Sequence, residues 1–67
     1  MDYSVRGYLE RQTTEILQTM LQHYLSDGVW QSYFYAVPII LEILKQRKVT
    51  IPHAIYARIA EIEELQQ

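Results

Sequence analysis

Proline 38 falls inside YFYAVPIILEIL, the stretch from Tyr33 to Leu44 in which eleven of twelve residues are apolar, aromatic or proline and Glu42 is the sole charge. No other segment limits the fold so strongly. A run that is apolar on nearly every side must be buried all round, and a proline inside it cannot give an N–H to the carbonyl four residues back. The rest of the chain therefore reads as cover for one interrupted helix.

Helical spacing is visible throughout. Trp30, Phe34, Val37, Leu41 and Leu44 make one stripe, and Ala36, Ile39, Ile40 and Ile43 make a second on the far side, leaving Gln31, Glu42, Lys45 and Gln46 as a narrow polar strip. Proline also disfavours helical angles at the residue before it, here Val37, so a kink or a restart is expected. Valine is a poor N-cap, which favours one kinked helix from about 29 to 47 over two separate ones.

Upstream, Val5, Tyr8 and Leu9 predict a short first helix that Asp2 or Ser4 could cap and Gly7 weakens. A second stripe runs through Ile16, Leu17, Met20, Leu21, Tyr24 and Leu25. The two stripes are offset by roughly 100° on one continuous helix, so they would not bury on the same neighbour. This places a break near Gln12 with Thr13 as N-cap and Glu15 in the first turn; the competing reading is one bent helix from 3 to 26. Ser26, Asp27 and Gly28 form the clearest stop signal.

Lys45, Gln46, Arg47 and Lys48 end the central helix with positive charge. Thr50, Ile51 and Pro52 then read as the start of a last helix, with Thr50 as N-cap and Pro52 in the first turn. Its buried stripe is Ile51, Ile55, Ile59 and Ile62, with Leu65 near a fraying end. Period-two alternation never persists, so the expectation is an all-α fold: a small helical bundle of three to four helices around a central kinked apolar helix, with residues 1–67 as a single helical domain.

Sixty-seven residues bury only about 60% of the surface exposed by the unfolded chain, so outside help is expected. With no cysteine, neither a disulfide nor a thiolate zinc site can supply it, which leaves oligomerisation. The same absence fits a reducing compartment, and the first ten residues lack the basic start and apolar run of a secretory signal, so the expected location is cytoplasmic. The apolar run from Val29 to Leu44 is sixteen residues long and contains Gln31, Ser32, Pro38 and Glu42, too short and too polar to cross a membrane.

No catalytic constellation, glycine-rich phosphate loop or cofactor motif is recognisable, so no enzyme activity and no cofactor are expected. His23 and Asp27 have i, i+4 spacing, but two ligands make no metal site, and His53 in a first turn reads as solvated. Lys45, Arg47 and Lys48 before a turn and a helix superficially resemble a DNA-gripping arrangement. The following helix argues against it, offering Ile51, Pro52, His53, Ala54 and Ile55 at its start and Glu61, Glu63 and Glu64 later. At a net charge of −2 there is no general attraction to nucleic acid.

Tyr24, Trp30, Tyr33, Phe34 and Tyr35 gather about the Asp27/Gly28 turn, with Tyr3, Tyr8 and Tyr56 elsewhere. This exceeds what a small bundle needs for packing, and Trp30 and especially Tyr35 are expected at an interface. Short neighbours are not expected to wrap the central helix fully, so Ala36, Ile39, Ile40 and Ile43 are expected to form an exposed patch that closes in a homodimer. Arg58 falls inside an apolar stripe, with its stem on apolar surface and its guanidinium free to pair with a carboxylate of another chain. Charge is segregated, with residues 1–28 and 49–67 each at −2 and 29–48 at +2, which can set register between chains. The functional expectation is a small protein-interaction module that self-associates and acts as regulator, adaptor or inhibitor of a larger complex through an unidentified protein partner. The alternative is a nucleic-acid-binding accessory factor in which a dimer pairs two Lys45/Arg47/Lys48 clusters.

Overall fold

The computed structural model describes residues 4–67, and helices alone build it: α1 (Val5–Glu10), α2 (Thr14–Tyr24), α3 (Trp30–Tyr33), a 3₁₀ turn (Phe34–Ala36), α4 (Val37–Gln46) and α5 (His53–Leu65). Because α3, the 3₁₀ turn and α4 run on without a gap, they form one kinked helix, and the described residues make four helices. No helix among the described residues is long and apolar enough to cross a membrane.

Local chemistry sets the first two helices. The Ser4 hydroxyl accepts from the Gly7 N–H at 3.0 Å and the Thr13 hydroxyl from the Ile16 N–H at 3.2 Å, so each satisfies a donor that the helix itself leaves unpaired. The break near Gln12 is real, and Ser4 fills the first capping position; Asp2 and Tyr3 lie outside the described residues. After Tyr24 the chain leaves the helix, and Gly28 turns it at φ 78°, a conformation that costs glycine little.

The kink is where proline chemistry requires it but not at Val37. Val37 keeps helical angles, φ −59° and ψ −50°, and its N–H donates to the Phe34 carbonyl three residues back. The carbonyl that Pro38 could not serve is thereby satisfied by a tighter turn. The distortion is displaced to Tyr33, at φ −121° and ψ 3°, one turn earlier than the sequence suggests.

The kink also changes what must be covered. Only α4, ten residues or about 15 Å long, is apolar on two faces, and its neighbours are long enough to wrap that length. Leu9 of α1, Leu17, Leu21 and Leu25 of α2 and Ile62 of α5 join Ala36, Val37, Ile40, Ile43 and Leu44 in one core. The expected exposed patch is thus corrected: Ala36, Ile40 and Ile43 are buried within the chain and Ile39 is half-buried against the same core. Each fully buried leucine or isoleucine contributes about 1.5–3 kcal/mol.

One further boundary and one burial differ from the sequence reading. Thr50 does not cap α5; Pro52 stands in the N-cap position, extended at φ −58° and ψ 143°, and the helix begins at His53. No side-chain hydrogen bond caps this helix start. Ile16, expected in the buried stripe of α2, is exposed, because α1 is only six residues long and does not cover that flank.

The end of α4 is built by a Schellman turn. The Lys48 N–H donates to the Lys45 carbonyl and the Val49 N–H to the Leu44 carbonyl, at 2.9 and 3.0 Å, while Lys48 itself sits at φ 61°. A lysine occupies a position that glycine fills with less strain.

Candidate functional site: a tyrosine-lined groove

A groove of ≈ 350 Å³ opens between α1, α2 and the 3₁₀ turn, lined by Val5, Tyr8, Met20, Tyr24, Tyr35 and the edge of Ala36. Its origin lies in the offset between the first two stripes. Leu17, Leu21 and Leu25 point into the core, whereas Ile16, Met20 and Tyr24, also spaced by four, run along the neighbouring flank toward the groove. On α1, Leu9 is buried while Val5 and Tyr8, 43% and 53% exposed, line the opposite wall.

Four tyrosines converge here. Tyr24 stacks on Tyr33 with ring centres 4.8 Å apart and planes 8° from parallel, and Tyr35, 60% exposed, forms part of the wall. Burial pushes the Tyr24 phenol above its ordinary pKa, and the neighbouring Tyr33, Tyr8 and Tyr35 push in the same direction. Among the described residues, no charged side chain lines the groove. Rigid amphipathic rings around an uncharged depression are the composition that protein interfaces favour.

Of the residues singled out from sequence, Tyr35 alone stands in this groove as an exposed side chain. Trp30 is half-buried, edge-on to Phe34 with centroids 6.5 Å apart, and packs on the core. Val5, Tyr8 and Met20 were named from sequence as members of helical stripes but not as interface residues, although the signal was present in the 100° offset between the stripes of α1 and α2.

Arg58 does not line the groove. Its guanidinium is spent within the chain: Nε donates to the Leu25 carbonyl at 2.8 Å, Nη2 to Asp27 Oδ1 at 2.8 Å and Nη1 to Glu61 Oε1 at 2.6 Å. These contacts, with Glu61 first and Asp27 next, hold the guanidinium more firmly protonated, against a smaller opposing effect of burial. Within the chain the half-buried Arg58 cation ties α5 to the end of α2.

Of the basic cluster, Arg47 is engaged within the chain. Arg47 donates from Nη2 to the Glu10 carbonyl at 2.9 Å and from Nη1 to Thr14 Oγ1 at 3.2 Å, so it holds the corner between α1 and α2. Lys45 Nζ lies 5.7 Å from the centre of the Tyr56 ring, and Lys48 occupies the turn. Lys45 and Lys48 are exposed, whereas Arg47 is half-buried.

On the other side of α1, Arg6 pairs with Glu10 at 2.7 Å and with Glu42 of α4 at 3.1 Å. Glu42 first and Glu10 second hold its guanidinium more firmly protonated. Asp27 is engaged by Arg58, and the His23 ring lies beside Tyr24 at 5.9 Å; among the described residues no group of three or more histidines and carboxylates is placed to hold a metal ion. No protein-family model matches the chain, and no curated protein or solved structure shows significant similarity to it.

Proposed function

We propose that this protein is a small non-enzymatic interaction module whose working surface is the tyrosine-lined groove, and that a second copy of the chain occupies that surface. The observation that carries the reading is the exposure of Val5, Tyr8, Tyr33 and Tyr35 on and beside one uncharged groove, while both apolar faces of α4 are already covered. An uncharged face meets its own copy without like-charge repulsion, and twofold dimers are the commonest closure for such faces. A dimer of this kind acts as regulator, adaptor or inhibitor of a larger complex by occupying a partner's surface. The absence of cysteine fits a reducing compartment, and the cytoplasm is the location proposed.

The test is the solution mass by light scattering across a hundredfold concentration range, for the wild type, Tyr8→Glu and Tyr35→Glu. Both tyrosines are more than half exposed, so the variants keep the fold. The expected result is a wild-type dimer whose association weakens by at least about 30-fold in each variant, the scale of an interface hot spot. A wild type that stays monomeric at every concentration removes self-association.

A further inference from the structure

The turn between α2 and the kinked helix carries the dipeptide Asp27–Gly28. Aspartate and glycine in this order react with one another when the main-chain nitrogen of the second attacks the side-chain carboxyl of the first and closes a cyclic imide. Three things suppress the reaction: a side chain on the following residue, a hydrogen bond that holds the nitrogen, and burial of the carboxyl.

None of the three operates here. Gly28 has no Cβ, and at φ 78° no atom lies within 4 Å of the place a Cβ would take. Its N–H lies outside the helices and, among the described residues, gives no hydrogen bond within the chain. The Asp27 side chain is 97% exposed. An uncrowded nitrogen thus follows an open carboxyl, and the reaction between them is intramolecular. One contact opposes it. Arg58 Nη2 donates to Asp27 Oδ1 at 2.8 Å and ties the carboxylate to α5. To reach the Gly28 nitrogen the carboxyl must leave that guanidinium and take up a proton, because its oxygen departs as water.

We propose that Asp27–Gly28 is a site of spontaneous isoaspartate formation and that Arg58 is the positioning residue that slows it. The bond from Gly28 N to Asp27 Cγ forms as the Cγ–OH bond breaks, and the hydroxyl leaves as water with the proton of the N–H. Water then opens the imide. Addition at Cγ returns aspartate, whereas addition at the Asp27 main-chain carbonyl breaks that carbon–nitrogen bond and leaves the chain running through the side-chain carbonyl. One water is lost and one gained, so the mass is unchanged and the backbone is longer by one methylene. The free carboxylate now stands on the Cα of residue 27, so its pairing with Arg58 is broken and α5 loses one of its ties to the end of α2. This inference rests on neither the tyrosine groove nor self-association.

The test is prolonged incubation of the full chain at near-neutral pH, followed by peptide mapping and by methylation with an isoaspartyl carboxyl methyltransferase. The background is low, since the chain has no asparagine and one other aspartate, Asp2, where the Tyr3 side chain hinders attack. Isoaspartate is expected to accumulate at residue 27, and hydroxylamine to cleave the imide intermediate between residues 27 and 28. Gly28→Ala should slow the reaction. Arg58→Ala should speed it about two- to fivefold, the scale set by an exposed ion pair. Glu61→Gln takes the other carboxylate from Arg58 and keeps the Asp27 contact, so its rate should match that of the wild type. No isoaspartate at residue 27, under conditions that generate it in a peptide with the sequence of residues 24–31, would overturn the site. Equal rates in the wild type and Arg58→Ala, or equal acceleration in Arg58→Ala and Glu61→Gln, would overturn the role of Arg58.

Discussion

Arg58 Nε donates to the main-chain carbonyl of Leu25 at 2.8 Å, so a cation on the last helix caps the C-terminus of the second, 33 residues away in sequence. The carbonyls at a helix end carry partial negative charge and lack helical partners, which makes a guanidinium an apt cap. Arg58→Ala is expected to lower the urea midpoint, and amide exchange should speed up first in α5. Asp27→Asn should cost less, since the bond to Leu25 survives. Arg58→Ala should leave the association constant unchanged, because the guanidinium has its partners within the chain.

Lys48 and Gly28 predict substitutions of opposite sign. Lys48→Gly relieves a left-handed residue in the turn after α4 and should stabilise the protein by about 0.5–1 kcal/mol. Gly28→Ala meets no atom within 4 Å, yet it should destabilise by about 1 kcal/mol because the strain lies in the backbone at φ 78°. Urea unfolding of both variants checks the pair, and a destabilised Lys48→Gly would contradict the account of the turn.

Arg47 separates a structural role from a nucleic-acid role. Losing its bonds to the Glu10 carbonyl and Thr14 should cost about 1–2 kcal/mol in Arg47→Ala. Lys48→Ala, which leaves the turn's main-chain bonds intact, should stay within about 0.5 kcal/mol of the wild type. Retention on DNA at low salt should be absent in the wild type and in both variants; salt-dependent retention would revive the basic cluster as a contact.

Tyr24 ties the groove to alkaline pH. Its phenol is held above the ordinary value of 10.0, first by burial, so the unfolded chain releases this proton before the folded one does. The contribution to stability is complete below the unfolded pKa and is lost as pH rises from about 10 through the folded value. Urea midpoints at about pH 8 and about pH 11 should therefore diverge more in the wild type than in Tyr24→Phe. Equal divergence would contradict the assignment.

Much of the helical order was legible because its signals act within a few residues. Ser4, Thr13 and Gly28 work through bonds and torsions that close locally, and Leu17, Leu21 and Leu25 repeat at the helical period. Where a local rule allows more than one helix start, position along the chain is not enough: Thr50 reads as a good cap with Pro52 in the first turn, and only the packed chain shows the helix starting at His53. The same holds for Val37, which stays helical because the Phe34 carbonyl found a nearer donor.

The sequence by itself determined an all-helical chain, its first helix break and its central apolar helix, because propensity, capping and period are properties of neighbouring residues. The tertiary structure alone decided which apolar surface is covered. Ala36, Ile40 and Ile43 are buried because α1, α2 and α5 converge on a helix shortened by its kink, and Tyr8 and Tyr35 are left outside because α1 ends after six residues. The partners of Arg58 and Arg47 belong to the same class: each bonds a main-chain carbonyl more than thirty residues away, a pairing that no local pattern encodes.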